Sequence, residues 1–484
     1  MLFDSLPFLY FFAIVAAGYF VLPARWKPWG LLGANIWFYA AWDPRAAVLL
    51  GVCVAAAWWG GLALERHRGA PRQRVRLAAA LLVPLGTLVV FKYANFFIDS
   101  AITLASGLGA SWSIPALRLA LPLGISFYTF KAMSYLFDVY RGVTPAQPTL
   151  LPVALYITFF PQILAGPIER AGAFFPQIDK LKGFDSLRVR DGAALFLWGL
   201  FKKAVIADRL AALVGAVYTA PGHYQGLPLI VATYCYAFQI YCDFSGYSDM
   251  AIGVARILGF TTIRNFDRPY HSTSVSEFWR RWHISLSRWF RDYLYIPLGG
   301  NRVSLLRWSC NVLIVFLISG LWHGSAWTFV VWGGLHGLFL VGERVGARAG
   351  APLARWGLVR PLPRGVAIFS KVFVTFHLVT FAWIFFRAST IEDALHIVAN
   401  LFTGLHSAGW GELAAIFGGA DLLWALVLVA SLEGVQIIRL RAGSAQRWLH
   451  CRPPWVRWAV CAALALGVIN LRPQIAAAFI YLQF

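Results

Sequence analysis

Charge is scarce in this chain of 484 residues. Asp, Glu, Lys and Arg together make up only 13%, against roughly 25% in an average soluble chain. Hydrophobic residues reach 59% and the mean hydropathy is +0.65. So few polar side chains cannot cover a water-soluble surface, which excludes a soluble globular enzyme, a disordered chain and a coiled coil. Acidic residues are the scarcer sign, 21 against 42 basic ones, a net charge of +21. Cysteine is sparse and unpatterned. Cys53, Cys235, Cys242, Cys310, Cys451 and Cys461 form no CxxC pair, so neither a disulfide framework nor a zinc site is indicated. The chain also lacks a GxSxG elbow, a P-loop and a dinucleotide fingerprint. It has no internal repeat, parallel or inverted, of the kind many transporter folds carry.

What remains is a series of long apolar runs. They predict an all-α polytopic membrane protein, one helical bundle without a soluble domain. The basic excess then belongs to cytoplasmic loops and anionic lipid rather than to nucleic acid. The first run, about 7–22, follows Asp4 and no basic residue, and Arg25 and Lys27 come after it. The positive-inside rule therefore places the N-terminus outside. A hairpin near 31–42 and 46–64 leads to a loop holding Arg66, Arg68, Arg72, Arg74 and Arg76, which must be cytoplasmic. Spans follow near 77–97, 118–138, 191–217, 227–245, 366–386, 421–438 and 458–475. The run 150–167 is interrupted by Pro161, Gly166 and Pro167 and flanked by basic residues on both sides. It reads as re-entrant, since broken backbone at membrane depth requires protein or water around it. The C-terminus, Phe484, is expected outside.

The segment 308–345 has basic residues at both ends, Arg302 and Arg307 before it and Arg344, Arg348, Arg355 and Arg360 after it. Two apolar helices, about 308–322 and 325–345, meet at Trp322-His323-Gly324, which predicts a hairpin entering and leaving on the cytoplasmic side. Fifteen helical residues rise about 22 Å, short of a hydrocarbon core of about 30 Å. His323 would therefore sit inside the membrane, nearer the outer side. An ionisable group at that depth is a functional candidate, and an imidazole exchanges a proton near neutral pH. The competing reading is a histidine hydrogen-bonded to a neighbouring helix.

A second candidate lies in 276–295. Taken as one helix, Trp279, Trp282, Leu286, Trp289, Phe290 and Tyr293 form an apolar stripe, with Arg280, Arg281, Arg288 and Arg291 opposite and His283 at the stripe's edge. This is the pattern of a helix lying in the membrane interface. Its arginines suit lipid headgroups or the phosphates of a donor such as a coenzyme A. Lys202, Lys203 and Asp208, and Asp243 and Asp249, interrupt apolar spans; they read as internal ion pairs or as a polar wall around a donor tunnel. His336 and His377 read as core histidines. No spacing around the histidines suggests a metal site.

Several strings resemble the membrane-bound O-acyltransferase (MBOAT) superfamily, and within it the bacterial alginate O-acetyltransferase (AlgI-like) branch. They are FWRRWHISLSRWFRDYLYIPLGGNR (278–302) and SGLWHGSAWTFVVWGGLHG (319–337), with FFPQILAGPIER (159–170), YCDFSGYSDMAIG (241–253) and FIYLQF (479–484) in support. The resemblance implies an MBOAT fold of about eleven transmembrane helices, with re-entrant and interfacial helices around a central pore. One membrane domain would span 1–484, with N-terminal helices in 1–145, a catalytic core in 146–345 and C-terminal helices in 346–484. It implies that His323 is catalytic and that His283 matches the family's second motif histidine. Trp322, Ser287, Arg280, Arg281, Arg288, Arg291, Asp243 and Asp249 are taken with them as donor-binding candidates.

The implied activity is an O-acyltransferase of the bacterial inner membrane. It moves an acetyl group from a cytoplasmic thioester, acetyl-CoA or an acyl carrier, toward an exopolysaccharide or cell-wall glycan. A periplasmic acetyltransferase partner usually finishes the transfer, and no permanently bound cofactor or metal is implied. The rival readings are a polysaccharide or lipid transporter, and a scaffold that only recruits periplasmic enzymes.

Overall fold

The computed structural model describes every residue except 118, 356–361, 406–408, 444, 475–476 and 483–484. Arg360 and the chain end at Phe484 thus lie outside the described residues. No strand occurs among the described residues. Seven helices among them are long and apolar enough to cross a bilayer: Pro44–Arg66, Gln73–Gly107, Leu227–Ile257, Leu305–His323, Arg364–Arg387, Gly419–Arg441 and Pro454–Leu471. The chain is a multi-pass, all-helical membrane protein. Its residues form two compact units, Met1–Ala193 with Ala251–Ile263, and Ala194–Met250 with Arg264–Phe484.

In the first unit the apolar pattern is broken where backbone chemistry demands it. The span expected over 118–138 begins only at Ile125 and runs to Tyr140. Gly124 precedes it in the left-handed region, at φ +71°, with the carbonyl oxygen of Ile163 only 2.2 Å from where a Cβ would stand. The run 150–167 is interrupted as its prolines suggest. A helix Leu150–Thr158 stops at Phe159 and a short turn Phe160–Ile163 follows. Buried Asn35 satisfies the break: its Oδ1 accepts from Phe160 N at 2.9 Å and its Nδ2 donates to Thr158 Oγ1 at 3.1 Å. Paired groups of this kind let irregular backbone survive inside an apolar fold.

The helix expected to end near 245, which belongs to the second unit as far as Met250, continues to Ile257. The polar residues of YCDFSGYSDM lie inside the protein, with Asp243 3% and Ser245 1% exposed, so they do not end the helix. The helix over 191–217 is continuous in outline but contains a π-helical turn at Lys202–Ala207. It approaches the Leu227–Ile257 helix closely through Gly199 and Gly246. A Cβ on Gly199 would lie 2.5 Å from the Gly246 carbonyl oxygen, and one on Gly246 2.7 Å from that of Gly199.

Two helices meet at 323–327, as the sequence predicts, and both differ from their expected bounds. The first helix starts earlier, at Leu305, where the Ser304 side chain accepts from Arg307 N. The helix has 19 residues and rises roughly 28 Å, long enough for a nearly full bilayer span with His323 as its last residue. The second helix is Trp327–Arg355. The two touch backbone to backbone: a Cβ on Gly320 would stand 2.2 Å from Phe329 O, and one on Gly333 2.2 Å from Phe316 O. Small residues at such crossings replace the hydrophobic drive that lipid removes. Gly320→Ala should therefore overpack the crossing, costing about 3 kcal/mol. The expected readout is a lower midpoint in detergent unfolding, and an unchanged midpoint would show that the crossing yields.

Candidate functional site

All parts of the site belong to the second unit. His323 is the last residue of the first hairpin helix and is 2% exposed. Its ring meets Trp332 edge-on at 4.9 Å, Trp322 at 5.0 Å, Phe386 at 5.4 Å and Tyr481 at 5.6 Å between centroids. The hydroxyl of Tyr481 lies 3.2 Å from His323 Nδ1. His283 comes into the same aromatic chamber. Its ring is 5.9 Å from Trp322 and 6.5 Å from His323, with Phe244 packed edge-on at 4.6 Å.

The stretch around His283 corrects the sequence expectation. No single interfacial helix covers 276–295. Val275–Arg281 and Ile284–Phe290 are separate helices, followed by a π-helical turn at Arg291–Tyr295. At the junction Trp282 is extended and His283 is left-handed, with φ +41° and ψ +55°. A non-glycine residue there costs of order 1–3 kcal/mol and persists only when its surroundings hold it. Asn265 supplies that hold. Its carbonyl accepts from Ile284 N at 2.9 Å, its Oδ1 accepts from Ser285 Oγ at 2.6 Å, and its Nδ2 donates to Ser248 Oγ at 3.1 Å. Through this break the apolar residues face protein instead of lipid. Trp282 is 1% and His283 0% exposed, so His283 is not at the edge of a membrane-facing stripe. Burial also holds the His283 imidazole well below the usual histidine range, leaving it neutral at physiological pH.

The candidate donor residues separate into three groups. Exposed Arg280 and Arg291, with Ser287, border a cavity of about 330 Å3 whose lining reaches Ser319, one helical turn before His323. Arg281 and Arg288 do not line it. Arg281 pairs with Glu277 at 2.6 Å, and Arg288 is exposed. Asp243 and Asp249 are engaged with lysines. Lys203 Nζ lies 2.8 Å from Asp243 Oδ1 and 2.7 Å from Asp208 Oδ1, and Lys202 Nζ lies 2.8 Å from Asp249 Oδ2.

Asp243 and Lys203 have a second task. Asp243 Oδ2 accepts from Ile480 N at 2.8 Å, and Lys203 Nζ donates to Ala477 O at 2.8 Å. Phe479 stacks on Tyr247 at 4.0 Å. The buried charges thus pin the terminal segment and carry Tyr481 to His323. Tyr481, Asn265, Trp332 and Phe386 are site residues that the sequence reading did not single out. For Tyr481 the signal was the FIYLQF string, noted for resemblance but given no chemistry; its last two residues lie outside the described ones.

Comparison with known proteins follows this geometry. Residues 143–386 match the model of the MBOAT, membrane-bound O-acyltransferase family. The chain is 38% identical to the probable alginate O-acetylase AlgI of Azotobacter vinelandii over 409 residues, 83% of this chain and 78% of that protein. It is 34% identical to the peptidoglycan O-acetyltransferase of Helicobacter pylori over 437 residues, 83% of this chain and 80% of that protein. The teichoic acid D-alanyltransferase of Streptococcus thermophilus is 33% identical over 232 residues, 45% of this chain and 56% of its own length.

Proposed function

The chain belongs to the membrane-bound O-acyltransferase family and is a membrane O-acyltransferase; on that premise we propose that it passes an acetyl group from a cytoplasmic thioester to a hydroxyl on the outer side of a bacterial inner membrane. The donor is acetyl-CoA or a phosphopantetheine-bearing carrier. The final acceptor is an alginate-like exopolysaccharide or a cell-wall glycan, reached through a periplasmic acetyltransferase, and both chain termini face the periplasm. The observation that carries this reading is the alignment of three features in one unit. An arginine-rimmed cavity reaches Ser319, His323 lies one turn further along the same helix, and His283 and Tyr481 meet His323 in an aromatic chamber.

In the mechanism, His323 is the general base. With its proton on Nδ1 it donates to Tyr481 Oη, and Nε2 takes the proton of the acceptor hydroxyl. The oxygen attacks the thioester carbonyl carbon, the C–S bond breaks, and the imidazolium returns its proton to the departing thiolate. Neutral His283 and the Trp322 indole N–H stand beside the carbonyl and stabilise its oxygen as charge develops. Arg280 and Arg291 hold the donor's phosphates, for which guanidinium geometry is suited, and Ser287 adds a hydroxyl to the same wall.

Reconstituted protein given a radiolabelled acetyl thioester and acceptor should place the label in an alkali-labile ester. A protein that moves saccharide while the label stays on the thioester would be a transporter. Reversing the rim charges, Arg280→Glu with Arg291→Glu, should raise the donor KM about 10- to 100-fold, the worth of one or two charge-assisted hydrogen bonds. An unchanged KM would place the donor elsewhere.

A further inference from the structure

Neither His323 nor His283 is among the residues that line the cavity. Trp279, 8% exposed, lines it together with Phe316 and Ser319. The indole packs edge-on against Phe316 at 5.2 Å and against Trp332 at 5.7 Å, and Trp332 in turn touches His323 at 4.9 Å. Two aromatic side chains in series, Trp279 on the cavity wall and Trp332 behind it, thus link the space that receives the donor to the imidazole that acts on it.

That indole is fixed. Its Nε1–H donates to Nδ1 of His336 at 3.2 Å. His336 is itself 0% exposed, on the second hairpin helix, and is clasped by rings: Trp332 at 5.0 Å, Phe339 at 5.9 Å and Phe278 at 6.2 Å. The bond fixes the neutral Nε2–H tautomer of His336. The sequence alone gave His336 only the part of a core histidine. Swinging Trp279 aside breaks a buried hydrogen bond.

We propose that Trp279, latched by His336, sets the length of the transferred acyl group. The inference rests on the donor entering through the arginine-rimmed cavity. On that path the acyl group meets the Trp279 indole before it reaches His323, and an acetyl group asks for the least room beside it. Each further methylene must occupy the volume of the Trp279 indole, and a well-packed interior resists such insertion. Trp279 is thus a specificity-determining residue and His336 a positioning residue that acts through it.

The test compares acetyl, butyryl and hexanoyl thioesters, offered on coenzyme A and on phosphopantetheine, with full-length protein in nanodiscs. Wild type should favour acetyl over butyryl by at least about 100-fold in kcat/KM. Trp279→Ala should lower that ratio at least 10-fold; a general loss of turnover cancels in the ratio. Trp279→Phe, which keeps the ring but loses the N–H, should fall between, and serves if the alanine variant does not fold. His336→Leu should shift the ratio in the same direction, and His336→Asn, whose Oδ1 can accept the indole N–H, should restore it. A ratio that stays at the wild-type value in Trp279→Ala and His336→Leu overturns the proposal. Binding of coenzyme A to the Arg280→Glu, Arg291→Glu protein separates the two readings. If affinity is unaffected, the donor path itself is wrong. If affinity falls while the acyl ratio holds, only the length limit fails.

Discussion

Replacing His323 by alanine should lower acetyl transfer by about 10²- to 10⁴-fold, the usual contribution of a positioned general base. Thiol release from an acetyl thioester by purified protein, in the presence of acceptor, is the direct readout. The variant should still insert and fold. His323 Nδ1 lies 3.2 Å from the Tyr481 hydroxyl, and the neighbouring rings of Trp332 and Phe386 pack on each other at 5.0 Å. Tyr481→Phe provides the contrast. It keeps the ring but removes the oxygen that fixes the imidazole's tautomer, so a smaller loss is expected than for His323→Ala. Equal turnover in wild type and His323→Ala would remove the imidazole from the mechanism.

Lys203→Ala should be the most damaging change to stability. Lys203 is 1% exposed and sits between Asp208 and Asp243, which are 2% and 3% exposed. Its removal leaves two carboxylates buried side by side, and breaking a buried ion pair this way costs about 3–5 kcal/mol. The loss is not only of stability. Lys203 and Asp243 also hold Ala477 and Ile480, so Tyr481 loses its anchor. Expression in the membrane should fall sharply. A triple variant, Lys203→Met with Asp208→Asn and Asp243→Asn, removes every charge at once and should recover expression without full activity, because the tail remains loose. Normal expression of Lys203→Ala would mean that water reaches these groups.

The hairpin around His323 was legible because its signals are local: two apolar runs, basic residues at both ends, and glycines where the helices meet. The arginine and tryptophan residues of 276–295 were legible as a site but not in shape. A helical wheel assumes an unbroken helix, whereas the break at Trp282–His283 is imposed by Asn265, which lies outside that window and bonds to Ile284 and Ser285. The placement of Asp243 depends on Lys203, 40 positions away, and on a backbone amide near the chain's end. Tyr481 is 158 residues from the histidine it touches. Periodicity and spacing report neighbours within an element. They carry no information on which distant elements meet, and here the chamber is closed by such meetings.

The same limit explains Trp279 and His336. Trp279 reads as part of an apolar stripe and His336 as a core histidine, and only their meeting, 57 positions apart, fixes the indole on the cavity wall. The buried lysine–aspartate cluster, the left-handed turn at His283 and the Trp279–His336 bond all act on residues in or beside the chamber. None is required simply to make an apolar helix, which accounts for polar and strained features in a chain otherwise so poor in charge.

The central claim is that His323 accepts the proton of an acyl transfer to a glycan-directed hydroxyl. It is tested most directly in cells whose only copy of the protein carries His323→Ala at wild-type membrane levels, by measuring alkali-labile acetate on the extracellular and cell-wall polysaccharides. The account predicts that this acetate falls to the level of a deletion strain. Acetate retained at the wild-type level would contradict it.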